Sequence, residues 1–133
     1  MKVAILDDYC GFAHGCPDWA PVRARCEVEV FERTLRVPEE AAEVLAGFQI
    51  LCLTRERMAM PAALFRELPS LRFVAATGTT NRTLDLDAAT RRGVPVSISS
   101  SGDAGAHATP ELTWGLILAL ARHIPREDRA MRE

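Results

Sequence analysis

Three short stretches carry side chains whose types and spacing could do chemistry. Residues 73 to 85 read FVAATGTTNRTLD, an apolar, strand-like run that ends in a glycine between threonines and then reaches an aspartate able to cap a helix. Gly78 frees the backbone for angles that other residues avoid and lets a small anion approach bare amides, with Thr77 and Thr79 adding hydroxyls. The same residues would also serve as a plain strand-to-helix turn. The second stretch, TRER, sets Arg55 and Arg57 directly after another apolar run. With the glycine turn they could hold a carboxylate by charge-assisted bonds, or they could form a solvated charged loop. The third pair, His107 and Glu111, stands four apart and could be pictured as an acid and a base. A first-turn acid that favours the positive end of a helix, beside a loop histidine, is the simpler account.

The elements that must position these residues alternate along the chain. Lys2 to Leu6, Val28 to Phe31, Gln49 to Leu53, Arg72 to Ala76 and Val94 to Ile98 read as short strands. Helical segments are expected around Trp19 to Arg25, from Pro38 to Gly47, from Pro61 to Leu68 and from Leu86 to Arg92. Proline at a first helical position costs no hydrogen bond, the early acids Glu39 and Glu40 suit a helix start, and Gly47 and Gly93 could end helices left-handed. Near-continuous apolar strands point to a parallel sheet covered on both faces, so the expected class is α/β: a flavodoxin-like, doubly wound, parallel five-stranded sheet. Strand order is not readable from the sequence, though 2-1-3-4-5 is the commonest solution for five such units. The segment TPELTWGLILALARHIPRE departs from the pattern. Thr109 could cap, Pro110 and Glu111 suit a first turn, and Leu112, Trp114, Leu116, Ile117, Leu118, Leu120 and Ala121 then leave scarcely any polar face. Such a helix wants burial all round, by another domain or by a second copy of the chain. The sequence itself reads as unfinished, ending in a charged stretch with no closing glycine or strand.

Ligands of an open parallel sheet bind beyond the carboxyl ends of its strands, here Asp7 to Tyr9, Thr54 to Arg57, Thr77 to Thr80 and Ser99 to Ser101. A phosphoacceptor receiver would need an aspartate after the third strand and a lysine after the fifth, where Thr54 and Ser99 stand. A flavodoxin would place a phosphate loop after the first strand, where DDYCGFAHG is too acidic to welcome one. Neither GxGxxG nor GxxxxGKS/T occurs. Cys10, Cys16, Cys26 and Cys52 make no CxxC pair and the three histidines are far apart, so reduced thiols and no metal site are expected. A chain of 133 residues with a formal charge of −2 predicts one ordinary core and no attraction for nucleic acid or an anionic membrane. No apolar run suits a secretory signal or a membrane span, so the expected location is the cytoplasm.

Taken in order, MKVAILDDY, FQILCLTRERMAMPAALFRELPSLRFVAATGTTN, LDAATRRGVPV and ATPELTWGLILALARHI resemble the N-terminal part of the D-isomer-specific 2-hydroxyacid dehydrogenases, the group containing D-3-phosphoglycerate dehydrogenase. The resemblance covers essentially the whole chain. Its most specific parts are the TG-x-x-N loop, the RGVPV strand and the ELTW helix. It implies that residues 1–101 form a flavodoxin-like substrate-binding domain. Residues 102–133 would be a linker and apolar crossover helix leading to an NAD-binding domain absent from this sequence. The backbone around Thr77, Gly78 and Thr79 would bind the carboxylate of a 2-hydroxy or 2-oxo acid, with Arg55 near the far end of the substrate. The helix from Leu112 to Leu120 would pack on the cofactor domain and near a dimer interface, a route to self-association. The GxGxxG and the catalytic arginine, glutamate and histidine of that family have no counterparts here. No catalytic, cofactor-binding or metal residue is therefore assigned, and His107 is not promoted to the vacancy.

Two functions follow. One is the substrate-binding part of an oxidoreductase in which NAD(P), held by the absent domain, exchanges hydride with C2 of the acid; this chain alone would be inactive and bind no cofactor. The alternative is a stand-alone module that binds a small carboxylate or associates with a protein.

Overall fold

Five short strands pair side by side, the three central ones near-continuously apolar and the two edge strands alternating apolar with polar residues (EVEV and VSIS), because none is long enough to stand alone in water. In the computed structural model, which describes the backbone of residues 1–99 and 102–133 and side chains outside 102–105, they form β1 (Lys2–Leu6), β2 (Glu27–Val30), β3 (Ile50–Leu53), β4 (Phe73–Thr77) and β5 (Val96–Ser99). The sheet is parallel throughout and ordered β2-β1-β3-β4-β5, the commonest order for five such units. β1 has the expected bounds, and the other strands begin or end one or two residues from the sequence reading. Ser100 and Ser101, expected at the carboxyl edge, lie outside the described residues.

Alternation along the strands decides which face is filled. Ala4 and Leu6, Leu51 and Leu53, and Val74 and Ala76 point to one face. They join one buried cluster with Leu45, Leu64, Phe65, Leu68, Ala88 and Ala89 from α3 (Pro38–Leu45), α4 (Ala62–Glu67) and α5 (Leu86–Arg91). The opposite face is less complete: Val3 and Ile5 are buried, but Cys52 and Ala75 are only half-buried and Ser97 is exposed. There α1 (Phe12–Gly15), a 3-10 turn at Pro17–Trp19 and α2 (Ala20–Arg23) stand where a single helix from Trp19 to Arg25 was expected. Prolines at 17 and 21 start two short pieces rather than one long one.

The start of α1 explains the acidic pair. The buried carboxylate of Asp8 accepts from the amides of Phe12 (3.1 Å) and Ala13 (2.8 Å). Asp85, at the N-cap position of α5, accepts from the Ala88 amide at 2.8 Å, whereas Asp8 reaches the start of α1 from before its N-cap, Gly11. Gly93 turns left-handed after α5, at φ 63°, as expected. Gly47 does not, because α3 stops earlier, at Leu45, and the chain turns through a Phe48 to Leu45 hydrogen bond.

The chain divides into two compact units, Met1–Ser100 and Ser101–Glu133. The second contains α6 (Gly102–Ala121) and α7 (Ile124–Arg132). Helix α6 starts seven residues before the expected cap Thr109, and Pro110 lies inside it. Alanines at 104, 106 and 108 favour helix strongly enough to outweigh the one hydrogen bond a proline removes. Thr109 caps nothing; its carbonyl accepts from the Thr113 hydroxyl at 2.8 Å. The break comes instead at His123, left-handed at φ 53°, from which the charged α7 continues. No helix among the described residues is long and apolar enough to cross a membrane.

Candidate functional site

The carboxyl ends of β3 and β4 bring the two most suggestive stretches together. Because the strands are parallel neighbours with Leu53 opposite Ala76, the loop that starts at Thr54 faces the loop that starts at Gly78. Arg55, Glu56, Thr77, Gly78, Thr79, Thr80 and Arg82 line one cleft of about 340 Å³. All four residues expected to bind substrate, Arg55, Thr77, Gly78 and Thr79, are in that lining.

Their hydrogen bonds assign different work to each. Gly78 has φ 105°, a conformation open to glycine and strained for other residues, and its N–H is spent on the carbonyl of Ser99 at 2.7 Å. That bond forms an antiparallel bridge at the end of an otherwise parallel ladder, turning the chain off the sheet. The donors left in the turn are the amides of Thr79 and Thr80, for which no partner occurs among the described residues. Arg55 is left-handed at φ 59°; its amide donates to Thr77 Oγ1 at 2.8 Å and its carbonyl accepts from Asn81 Nδ2 at 3.3 Å. Glu56 accepts from the Arg82 amide at 2.6 Å, a third tie between the two loops. Neither Arg55 nor Arg82 is in an ion pair among the described residues, so the lining carries two arginines and one acid, Glu56.

Arg57 does not join Arg55. Its guanidinium donates to the Asp7 carbonyl at 2.8 Å, lies 4.2 Å from the centroid of the Tyr9 ring, and borders a separate cavity of about 550 Å³ with Thr34, Arg36 and Met58. Two residues apart on a turn, the arginines border different cavities, so the expectation that they act together on one carboxylate is not met. Asp7, left-handed at φ 60°, holds a buried carboxylate with no hydrogen-bond partner among the described residues.

Asn81, Glu56 and Arg82 were not among the candidate binding residues, although Asn81 belongs to the TG-x-x-N loop and Glu56 lies between Thr54 and Arg57. Asn81 left a readable trace: an asparagine two residues before a threonine, whose Oδ1 accepts from the Thr83 amide at 3.0 Å and the Thr83 hydroxyl at 2.9 Å. His107 and Glu111 are both exposed residues one turn apart on α6, so Glu111 is not the first-turn acid it was read as.

The helix start after β1, where a phosphate would seek free amides, is filled by the carboxylate of Asp8. Among the described residues no group of three histidine, cysteine or acidic side chains could hold a metal. On the sheet face away from the core, Cys16 and Cys52 share an apolar groove of about 370 Å³ with Phe12, Trp19 and Ala75, and burial pushes the Cys52 thiol up to about 11.

Residues 4–115 match the profile of the D-isomer specific 2-hydroxyacid dehydrogenase, catalytic domain. The chain is 28% identical to a hydroxypyruvate reductase of Blautia hydrogenotrophica, over 100% of its own length and 40% of the relative's. It is 32% identical to a glyoxylate reductase of Pyrococcus furiosus, over 80% of its length and 31% of the relative's. The crystal structure of a phosphoglycerate oxidoreductase from Vibrio cholerae superposes with a TM-score of 0.82 at 35% identity, covering 94% of this chain and 38% of that one. The chain thus spans well under half the length of each.

Proposed function

The chain belongs to the D-isomer-specific 2-hydroxyacid dehydrogenases, and from that premise we propose that it is the substrate-binding part of an NAD(P)-dependent oxidoreductase acting on a small 2-hydroxy or 2-oxo acid. The observation that carries the proposal is the cleft itself: the Arg55 side chain and the Thr79 and Thr80 amides gather on one lining, at the carboxyl edge where an open parallel sheet takes its ligand. The amides of Thr79 and Thr80 receive the carboxylate, Gly78 makes the turn that exposes them, and Arg55 supplies the charge. Hydroxypyruvate and glyoxylate, acted on by relatives of matching sequence, are acids of the right size.

In this reading residues 1–101 are the substrate domain and residues 102–133 lead toward the cofactor-binding domain. The cofactor-binding domain would hold NAD(P); the helix start after β1, occupied by the carboxylate of Asp8, supports that reading. No step of hydride transfer is assigned to a side chain of this chain. The apolar surface of α6 between Leu112 and Leu120 serves association, with the cofactor domain or with a second copy. Calorimetric titration of the chain tests the reading. Glyoxylate and D-glycerate should bind, more weakly as salt rises, and the neutral amide glycolamide should not. Equal affinity for the acid and the neutral amide would contradict it.

A further inference from the structure

The hydrogen bonds around Arg55 assign Thr77 a role other than substrate contact. Arg55 leaves β3 in the left-handed region, which a β-branched or long side chain enters only under constraint. Two side chains across the cleft supply that constraint, one at the end of β4 and one in the loop after it: Thr77 Oγ1 accepts the Arg55 N–H at 2.8 Å, and Asn81 Nδ2 donates to the Arg55 carbonyl at 3.3 Å. Both polar groups of one peptide-flanked residue are thus pinned by its neighbour strand and the loop after it. Asn81 is itself held by its own turn, through Thr83.

We infer that Thr77 and Asn81 are positioning residues that lock Arg55 in its left-handed conformation and so aim its guanidinium into the cleft; the inference rests on the reading of Arg55 as an anion-binding group. The Cα–Cβ bond leaves a left-handed residue in a different direction from an extended one. Releasing the clamp lets φ return to the ordinary region and swings the guanidinium off the lining it shares with Gly78, Thr79 and Thr80. Thr77 Oγ1 accepts the Arg55 N–H, and on this reading the threonine acts on a ligand through the arginine; a direct contact by its remaining O–H would instead make the losses add in the double variant.

The test is a glyoxylate titration of the 133-residue chain followed by amide NMR, in the wild type and in Thr77→Val, Thr77→Ser, Arg55→Met and the Thr77→Val/Arg55→Met pair. Valine keeps the shape and β-branching of threonine without the acceptor, and Asn81→Ala removes the other half of the clamp should Thr77→Val unfold. Thr77→Val or Asn81→Ala should weaken glyoxylate about three- to tenfold, the worth of one hydrogen bond lost through its effect on the arginine. Thr77→Ser should bind like the wild type. The double variant should bind no worse than Arg55→Met alone, because the threonine has nothing left to position. Wild-type affinity in Thr77→Val, or losses that add in the double variant, would overturn the positioning role while leaving Arg55 as the anion group. Unchanged affinity in Arg55→Met, or no saturable binding by the wild type, would overturn the reading beneath it and this inference with it.

Discussion

Gly78 shows how one residue ties a turn to a site. A Cβ built there would meet the Thr80 carbonyl oxygen at 3.6 Å, an ordinary contact, so crowding is not what requires glycine. The requirement is φ 105°. Gly78→Ala should therefore cost about 1 to 3 kcal/mol of stability from backbone strain alone, read as a lower midpoint in urea unfolding, and Gly78→Val should cost at least as much. If neither variant shifts the midpoint, the turn relaxes freely and glycine is not needed. The glycine was legible in the sequence because its type announces its conformation. Arg55 and Asp7 were not, since nothing in an arginine or an aspartate announces a left-handed backbone, and it was the cross-loop bonds that imposed it at Arg55. The thiols give a second prediction at this scale. Burial pushes Cys52 up to about 11, so it stays protonated across the neutral range, and only as pH climbs toward that value does the thiolate form. Exposed Cys10 should then react with iodoacetamide at pH 8 well before Cys52, as peptide mass mapping would show. Equal labelling would mean that the sheet face around Cys52 opens.

At the scale of elements, capping was readable in part. Asp85 stands before a helical pattern and caps it; Asp8 caps a helix of four residues too short to show a pattern at all. Asp8→Ala removes two bonds and should cost about 1 to 2 kcal/mol by thermal or urea unfolding, with the effect felt in the loop between β1 and α2. A change within error would show α1 to be held by packing alone. For α6, the apolar composition was plain but its start was not, because a Thr-Pro-Glu triplet imitates a helix cap while the alanines before it continue the helix. Leu112, Trp114, Leu116, Ile117, Leu118 and Leu120 are all exposed. Since a helix turns about 100° per residue, they circle it rather than forming one stripe. Leaving each in water forgoes roughly 1.5 to 3 kcal/mol, so the chain should self-associate at tens of micromolar in light scattering, and Trp114→Glu should shift it toward monomer. A strict monomer would contradict this use of the helix.

For the molecule as a whole, the class was legible because apolar strand-like runs alternate with helical segments, whereas the strand order β2-β1-β3-β4-β5 was not, since it is set by pairings between segments far apart in the chain. The site was legible as a neighbourhood: the carboxyl edge, the glycine turn and Arg55. What could not be read was the division of labour within it. Sequence places Arg55 and Arg57 together, whereas the turn sends one to the cleft and the other to Asp7 and Tyr9. The central claim is that this chain holds the acid and not the cofactor. It is tested most directly by two titrations of the isotopically labelled chain, one with hydroxypyruvate and one with NADH, read as amide shifts along the backbone. The account predicts saturable shifts from hydroxypyruvate centred on Arg55, Thr79, Thr80 and Arg82, and none from NADH. Saturable shifts from NADH, or a hydroxypyruvate response that bypasses that cleft, would contradict it.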